Sequence, residues 1–380
     1  MLNAEKRDID LKNILFFRPS ICKTDGALRV TIHLCNSLSK KFNVHLLNFF
    51  DNECIFTVNE KVIIKKLCYS KKKMRYGIWS LLLKFRKYIN DNNIEIIISE
   101  TRLYLFVVFL ATIDLNVKIF YHNHFSINEF LKSKKVTKNY KDIILNVVNW
   151  YFEKKTERII VLTNGERSNY IKQGVEDKRI ITIYNWLESK LLENNIEYNI
   201  QSKKIITVGR IDYQKGYEYL VEIARKVFEI YPDWVWHIYG EGNKDYTLKI
   251  RKLIKDKGLE KNVILMGNKD NIYDEYNKYA FLVMTSRYEG LPMVLLEAKA
   301  KKLPLVSFDI ESGPSEIIRN DIDGFLVPAF DTQAMSCKLC ELIESPELRQ
   351  KFSDNVHGNL EKFSKEKIMR QWCDLIEGIE

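Results

Sequence analysis

The sequence contains little of what marks several common classes of protein. Its seven cysteines are scattered over 380 residues without a disulfide-like framework, which indicates a reducing cytoplasm. Cys337 and Cys340 form a close pair, but no second pair completes a zinc site. No uncharged apolar run approaches about 18 residues, so we expect no membrane-spanning helix. The polar N-terminal residues also lack the apolar core of a secretion signal.

The excess of positive over negative charge lies entirely in the first half of the chain. Residues 1–200 hold 33 Lys/Arg against 21 Asp/Glu, whereas residues 201–380 hold 27 against 29. Such an excess favours an anionic partner for the first half, although an ordinary solvated basic surface would give the same pattern. No zinc finger, RNP motif or basic-helix array is present, so we expect no nucleic-acid binding.

The length and the alternation of short apolar strands with amphipathic helices predict two α/β domains. We expect two doubly wound parallel sheets that face each other across a cleft. The apolar periodicity lapses after the strand predicted at 180–184, which places a linker there. We therefore predict a first domain at 1–187, a linker at 188–203 and a second domain at 204–363. A C-terminal helix at 364–380 is expected to pack back on the first domain.

The segment from Ser286 to Glu297 places two carboxylates, Glu289 and Glu297, seven residues apart. An apolar strand is predicted before it, at 280–285, and a helix after it, from Met293 to Lys302. Glu289 would then lie in the loop and Glu297 inside the helix. Two such acceptors suit the hydroxyl groups of a sugar.

The start of this helix would also attract an anion. Gly290 permits an unusual backbone conformation or a close approach. The helix dipole and the free N–H groups of the first turn favour phosphate. The sequence therefore predicts a nucleotide-sugar site, whose backbone contributors are Gly290, Leu291, Pro292, Met293 and Val294.

A second motif, from Val208 to Gly216, supplies cations. Gly209, Arg210 and Lys215 follow the first predicted strand of the second domain, where open α/β sheets bind ligands. Arginine suits bidentate phosphate contacts, and lysine acts as a point charge. Together with the two glutamates, these cations indicate a diphosphate-sugar ligand.

These motifs resemble those of the retaining glycosyltransferases of family 4, which have the GT-B fold, and in particular the bacterial exopolysaccharide and lipopolysaccharide branch. The resemblance covers most of the chain. In the first half it rests on His124-Phe125 and on Ile160-Val-Leu-Thr163. In the second half it rests on Gly209-Arg-Ile, Gln214-Lys-Gly216, Ile238-Tyr-Gly-Glu-Gly242, the Ser286–Glu297 segment and residues 307–318.

The resemblance implies a role for each motif residue. Arg210 and Lys215 would bind the diphosphate of a UDP-sugar and stabilise the leaving group. Glu297 would accept from the ribose hydroxyls, and Glu289 would contact the donor sugar. Family members with this fold need no metal, and no Asp-x-Asp pair is placed to bind one. The implied reaction is transfer of a hexose or N-acetylhexosamine, with retention, to a lipid-linked glycan at the inner face of the cytoplasmic membrane.

Three features match the family pattern less clearly than the other motifs do, namely the glycine loop, the two histidines and Glu316. The glycine loop of the family, commonly Gly-Gly followed by a small residue and Glu-Arg, reads Asp25-Gly-Ala-Leu-Arg29, which retains Gly26 for the donor phosphates. His124, or alternatively His122, would contact the donor sugar. A metal at these histidines is disfavoured because no third ligand is evident. Glu316 would either contact the sugar or cap a helix.

A basic cluster precedes an amphipathic helix predicted at 77–90. It contains Lys71, Lys72, Lys73 and Arg75. Basic residues beside an apolar stripe suit docking on an anionic membrane, although a solvated loop before a core helix fits the same pattern. Two alternative functions stay open, namely a UDP-sugar epimerase of the same fold and a non-catalytic basic binding protein.

Overall fold

The computed structural model describes residues 11–22, 26–51, 53–67, 77–124, 140–188, 191–192 and 197–379. It contains two entirely parallel β-sheets. The first has the order β3-β2-β1-β4-β5-β6-β7, and the second has the order β10-β9-β8-β11-β12-β13. The strands are β1 (Asn13–Phe17), β2 (Asn43–Asn48), β3 (Ile63–Lys66), β4 (Ile96–Ser99), β5 (Lys118–Asn123), β6 (Arg158–Val161), β7 (Ile180–Thr182), β8 (Lys204–Val208), β9 (Val235–Tyr239), β10 (Val263–Gly267), β11 (Phe281–Met284), β12 (Leu305–Asp309) and β13 (Gly324–Pro328).

Most of the helices lie between consecutive strands, and helices cover both faces of each sheet. They are α1 (Gly26–Leu38), α2 (Ile78–Asp91), α3 (Leu105–Ala111), α4 (Tyr140–Glu153), α5 (Asn164–Lys172), α6 (Tyr217–Ile230), α7 (Lys244–Asp256), α8 (Met293–Ala300), α9 (Pro314–Ile317), α10 (Thr332–Glu344), α11 (Pro346–Asn355) and α12 (Lys365–Glu377). Among these residues, no helix combines the length and the apolarity needed to cross a bilayer.

Alternate residues of the central strands enter separate hydrophobic cores. In β1, Phe16 packs into one core and Phe17 into the core on the opposite face. In β8, Ile205 and Ile206 divide in the same way. Strands that are buried on both faces require helices on both sides of the sheet. The predicted pair of doubly wound α/β domains is confirmed.

The sheet order creates one switch point in each domain. In the first sheet β1 lies between β2 and β4, and in the second β8 lies between β9 and β11. Loops that leave neighbouring strands in opposite directions open a crevice at such a point, and ligands of α/β proteins bind there. The loop after β8 carries Arg210 and Lys215, and the loop after β11 carries Glu289. The sequence motifs therefore meet at the switch point of the second sheet.

The last helix, α12, packs on the first sheet rather than on the second. Ile368, Trp372 and Ile376 belong to the core that contains Phe16 of β1. The Lys12 ammonium also donates to the Ile376 carbonyl oxygen at 3.0 Å. The core of the first domain is thus completed by residues from the far end of the described chain.

Candidate nucleotide-sugar site

Lys215 is held in a tight turn that immediately follows β8. The Asp212 carboxylate accepts from the Lys215 backbone N–H at 3.3 Å. Gly216 then takes a left-handed conformation, with φ of +65°. A Cβ atom at Gly216 would lie 2.3 Å from the Thr285 carbonyl oxygen, so only glycine allows this turn to approach β11. The turn directs the Lys215 side chain toward the loop after β11.

The Lys215 ammonium and the Glu289 carboxylate form an ion pair. Nζ of Lys215 lies 2.6 Å from Oε1 of Glu289, and both side chains are largely buried. The Ser286 hydroxyl donates to the same oxygen at 2.6 Å, and the Gln214 amide donates to Oε2 at 3.4 Å. This network fixes one cation and one carboxylate side by side at the switch point. Their charges balance each other, and a bound diphosphate would compete with Glu289 for Lys215.

Arg210 and Gly209 lie beside this pair, and Arg210 is held less firmly than Lys215. The Arg210 side chain is 63% exposed and lies 3.4 Å from the Asp212 carboxylate. Gly209 donates its backbone N–H to the Tyr239 carbonyl oxygen at 2.9 Å. Arg210 is therefore an exposed cation at the mouth of the site, whereas Lys215 is an internal one.

The first domain meets the loop after β11 at Gly290. A Cβ atom at Gly290 would lie 2.6 Å from the carbonyl oxygen of His124. The absence of a side chain at Gly290 thus lets the loop after β11 meet the end of β5 across the cleft. Leu291 is buried behind this contact, and Pro292 precedes the first residue of α8, Met293. Met293 and Val294 supply the amides of the first turn of α8.

A buried carboxylate, Glu100, contacts both histidines at the end of β5. It comes directly after β4, and its side chain has no exposed surface. It lies 2.7 Å from Nε2 of His124 and 3.1 Å from Nδ1 of His122. Arg18 donates to the same carboxylate at 3.3 Å, and the Thr31 hydroxyl also donates to it. Four side chains from three segments of the first domain, namely the end of β1, helix α1 and the end of β5, therefore converge on one anion.

Burial and the neighbouring charges shift the pKa values of Glu100 and His122. Burial would raise the pKa of Glu100, but the charges and hydrogen bonds of His124 and His122 outweigh it, so the pKa lies well below its usual range. Burial, together with the charge of His124, lowers the pKa of His122 to about 4. Glu100 is thus ionised and His122 neutral near pH 7.

The expectation that no third ligand accompanies the histidines was wrong. Within the described residues, Glu100, His122 and His124 are the one group whose ligand atoms lie close enough to hold a metal, within 4.8 Å of one another. Two imidazoles and a carboxylate are a donor set that zinc uses. However, the guanidinium of Arg18 already lies against Glu100 and would repel a metal ion. The sequence concealed this group because Glu100 lies 22 residues before His122 and joins it only through the pairing of β4 with β5.

The two histidines differ in what surrounds them. The ring of His122 packs edge-on against Trp372 of α12, with centroids 5.1 Å apart, inside the first domain. His124 is the one whose backbone meets Gly290 at the cleft. Of the two, His124 is therefore the better placed to meet a ligand bound beside Glu289.

Glu297 lies in the second turn of α8, and each of its oxygens accepts from a tyrosine. The Tyr273 hydroxyl donates to Oε1 at 3.2 Å and the Tyr276 hydroxyl to Oε2 at 3.4 Å. Burial raises the pKa of Glu297, and the charge of Arg29 opposes this effect. The carboxylate also lines a cavity of about 230 Å³ between the domains, together with Gly26, which begins α1.

Each half of the chain matches one sequence family. "Glycosyltransferase Family 4" matches residues 24–190, and "Glycosyl transferases group 1" matches residues 191–358. The chain belongs to glycosyltransferase family 4. With its two facing Rossmann-like domains, it has the GT-B fold.

The chain is similar to named bacterial glycosyltransferases and to a solved structure that contains UDP. The amylovoran biosynthesis glycosyltransferase AmsD of Erwinia amylovora is 27% identical over 369 residues, which cover 96% of this chain and 99% of AmsD. The poly(ribitol-phosphate) alpha-N-acetylglucosaminyltransferase of Staphylococcus aureus is 33% identical over 224 residues, which cover 58% of this chain and 44% of that protein. The crystal structure of HepE of Anabaena in complex with UDP and glucose superposes with a TM-score of 0.81 at 17% identity, covering 97% of this chain and 100% of HepE.

Glu316 of the glycosyltransferase contacts the first domain. Its Oε1 accepts from the backbone N–H of Asn164 at 2.7 Å, and its Oε2 accepts from the Tyr184 hydroxyl at 2.8 Å. Asn164 is the first residue of α5, so Glu316 lies at the positive end of a helix in the opposite domain. Nearby, the hydroxyls of Thr163 and Ser312 lie 2.6 Å apart across the same boundary. These contacts join the domains beside the site.

Sequence reasoning missed the residue that holds the two loops of the site together. Nη1 and Nη2 of Arg287 both donate to Oε2 of Glu218 at 3.1 Å, and the guanidinium lies 4.0 Å from the ring centroid of Tyr213. Its backbone N–H donates to the Gln214 carbonyl oxygen at 2.7 Å. The position of Arg287 next to Ser286 in the motif was a usable signal. In contrast, no sequence pattern pointed to Glu100, Tyr273 or Tyr276.

Proposed function

We propose that this glycosyltransferase moves a hexose or an N-acetylhexosamine from a UDP-sugar to a growing, lipid-linked surface glycan, with retention, to form an α-linkage. The observation that carries the proposal is the Lys215–Glu289 pair, 2.6 Å apart at the switch point of the second sheet and next to Gly290, which meets the His124 backbone. A cation for the diphosphate and a carboxylate for the sugar are there fixed at adjacent positions.

The donor would extend along the second domain. The pyrophosphate would contact Lys215, Arg210 and the amides at the start of α8, and the sugar would lie between Glu289 and His124. Glu297 would accept from the ribose hydroxyls. A cavity of about 450 Å³ beyond the ends of β9 and β10, bordered by Ile211, offers room for the base.

The proposed chemistry needs stabilisation of a leaving diphosphate. As the bond between the anomeric carbon and the β-phosphate oxygen breaks, negative charge develops on that phosphate, where Lys215, Arg210 and the α8 amides stabilise it. The acceptor hydroxyl forms the new bond on the same face, and the departing phosphate oxygen takes its proton. This account of retention requires no carboxylate nucleophile, so Glu289 acts as a hydroxyl acceptor. It also requires no metal.

A screen of UDP-sugars tests this proposal. We expect UDP release from one of UDP-glucose, UDP-galactose and their N-acetyl forms, enhanced by a glycan acceptor and unchanged by EDTA. Proton NMR of the product should show an α-anomeric signal. An epimerised sugar nucleotide formed without acceptor would instead indicate an epimerase, and activity lost in EDTA and restored by zinc would indicate a metal at Glu100, His122 and His124.

We also propose that the enzyme docks on an anionic membrane through α2. Trp79 and Leu83 are 76% and 68% exposed on this helix, beside the exposed Lys84 and Lys87. Because α2 follows a parallel strand, its N-terminal end, which carries Trp79, lies at the edge of the sheet that faces the cleft. Apolar and basic side chains on one helix face suit an acidic lipid surface. The predicted basic cluster Lys71–Arg75 lies outside the described residues.

Vesicle co-sedimentation tests the docking proposal. We expect salt-sensitive binding to vesicles that contain phosphatidylglycerol, weakened severalfold by Trp79→Ser with Leu83→Ser and by neutralising Lys71–Lys73. Ile230→Ser with Ile322→Ser removes comparably exposed side chains from the second domain and should leave binding unchanged. Equal binding of the wild type to neutral vesicles would contradict docking by charge.

A further inference from the structure

A chain of two hydrogen bonds crosses the cleft and ends on Glu297. Arg29 belongs to α1 of the first domain, and its Nη2 donates to the Tyr273 hydroxyl oxygen at 2.8 Å. Tyr273 belongs to the second domain and donates its own proton to Oε1 of Glu297 at 3.2 Å. A cation of one domain is thus connected, through one side chain, to the carboxylate proposed to bind ribose in the other.

Glu297 retains capacity for a ligand in this arrangement. Tyr273 occupies one position on Oε1, and Tyr276, which is fully buried, occupies one on Oε2. An ionised carboxylate has about four acceptor positions, so about two remain. They adjoin the cavity of about 230 Å³ that Glu297 and Arg29 both line. Two remaining acceptor positions match the two vicinal hydroxyls of a ribose.

The charge of Arg29 affects whether the Glu297 carboxyl is ionised, and hence whether it accepts or donates a hydrogen bond. Burial raises the pKa of Glu297, whereas Arg29 and the hydroxyls of Tyr273 and Tyr276 lower it. A protonated carboxyl would lose acceptor capacity and carry a donor. The same cavity is also lined by His33 and Glu188, whose side chains pair at 2.6 Å. Loss of Arg29 therefore favours protonation of Glu297, with the remaining charged groups of the cavity unchanged.

We propose that Arg29 is a positioning residue for donor recognition. From the first domain, and through Tyr273, it fixes the Glu297 carboxylate that accepts the ribose hydroxyls. Recognition of the ribose is therefore complete only when the two domains are closed on each other. The inference rests on the proposed UDP-sugar donor, and it adds a residue from the opposite domain to the donor site.

Calorimetric titration with UDP and with 2′-deoxy-UDP tests the inference. Wild type should bind UDP more tightly than 2′-deoxy-UDP. Arg29→Gln should weaken UDP binding about tenfold and 2′-deoxy-UDP binding much less, because the lost interaction is a hydrogen bond to a charged group. Tyr273→Phe should likewise weaken the binding of UDP more than that of 2′-deoxy-UDP. Arg29→Lys should keep part of the preference for UDP that Arg29→Gln loses. Arg225→Gln, which removes an exposed arginine of α6, is the matched control.

The pH dependence separates a positioning role from a merely structural one. Since Glu297 must be ionised to accept both hydroxyls, UDP affinity should fall as the pH is lowered through the pKa of Glu297. In Arg29→Gln this fall should begin at a higher pH than in wild type, while the thermal midpoint stays close to that of Arg225→Gln.

Three results would overturn the inference. One is an equal loss of affinity for both nucleotides in Arg29→Gln, and another is an unchanged preference for UDP. The third is a pH profile that does not move. A wild type that binds neither nucleotide would instead refute the UDP-sugar donor itself, and the inference with it.

Discussion

Replacement of Lys215 by alanine is expected to reduce kcat by about a hundredfold or more, because removal of one group that stabilises the developing charge typically costs that much. The ammonium of Lys215 lies inside the site, against Glu289, where solvent screens it little. Arg210 is exposed and does not replace it. Initial rates of UDP release, at saturating acceptor, measure the effect.

Three further variants, one of them a control, show whether the loss comes from the site. Lys226→Ala removes a lysine of α6 that contacts Gln333, away from the site, and should leave the rate unchanged. Glu289→Gln should also lose most activity, and the double variant should lose less than the product of the two single losses, because the pair acts as a unit. Wild-type turnover in both Lys215→Ala and Glu289→Gln would refute the assignment of the site.

Replacement of Glu100 by glutamine is expected to lower the free energy of unfolding of the first domain by about 3–5 kcal/mol, the usual cost of breaking a buried ion pair. Glutamine keeps the size of the side chain, but its NH₂ group cannot accept the hydrogen bonds that the carboxylate accepts. Arg18 and His124 would lose their shared carboxylate. Hydrogen–deuterium exchange in residues 96–100 and 118–124 reports this domain separately from the second.

Glu157→Gln provides the comparison. Glu157 is 41% exposed and pairs with Lys118 of β5 at 3.3 Å, so its replacement should cost less than about 1 kcal/mol. If exchange in the two segments is unchanged in Glu100→Gln, the cluster does not stabilise the domain. If stability is unchanged and activity still falls, Glu100 serves only to orient His124.

The site could be predicted from sequence where its parts are local. Glu289, Gly290 and Glu297 lie within one strand–loop–helix unit, and proline and glycine mark its turn. The ion pair with Lys215 could not be predicted, because it depends on two loops 74 residues apart. Glu100 and Tyr273 were missed for the same reason, since only the order of the strands and the closure of the domains bring them to the site.

The fold was predicted most reliably where strands are buried on both faces. The apolar run from Asn13 to Phe17 is continuous and predicts a strand with the bounds of β1. The sequence pattern predicts no strand at the positions of the edge strands β3 and β13. Residues of β3 are largely exposed, so no apolar pattern distinguishes them from a loop. Helix ends differed by a few residues, as for α8, which ends at Ala300 rather than Lys302.

The return of α12 to the first sheet has a consequence for how the chain is made. Domains generally fold as units during synthesis, beginning with the N-terminal one. Here the apolar surface formed by β1 and α1 stays uncovered until Trp372 and Ile376 have left the ribosome, after the whole second domain. The first domain to be synthesised is therefore the last to complete its core.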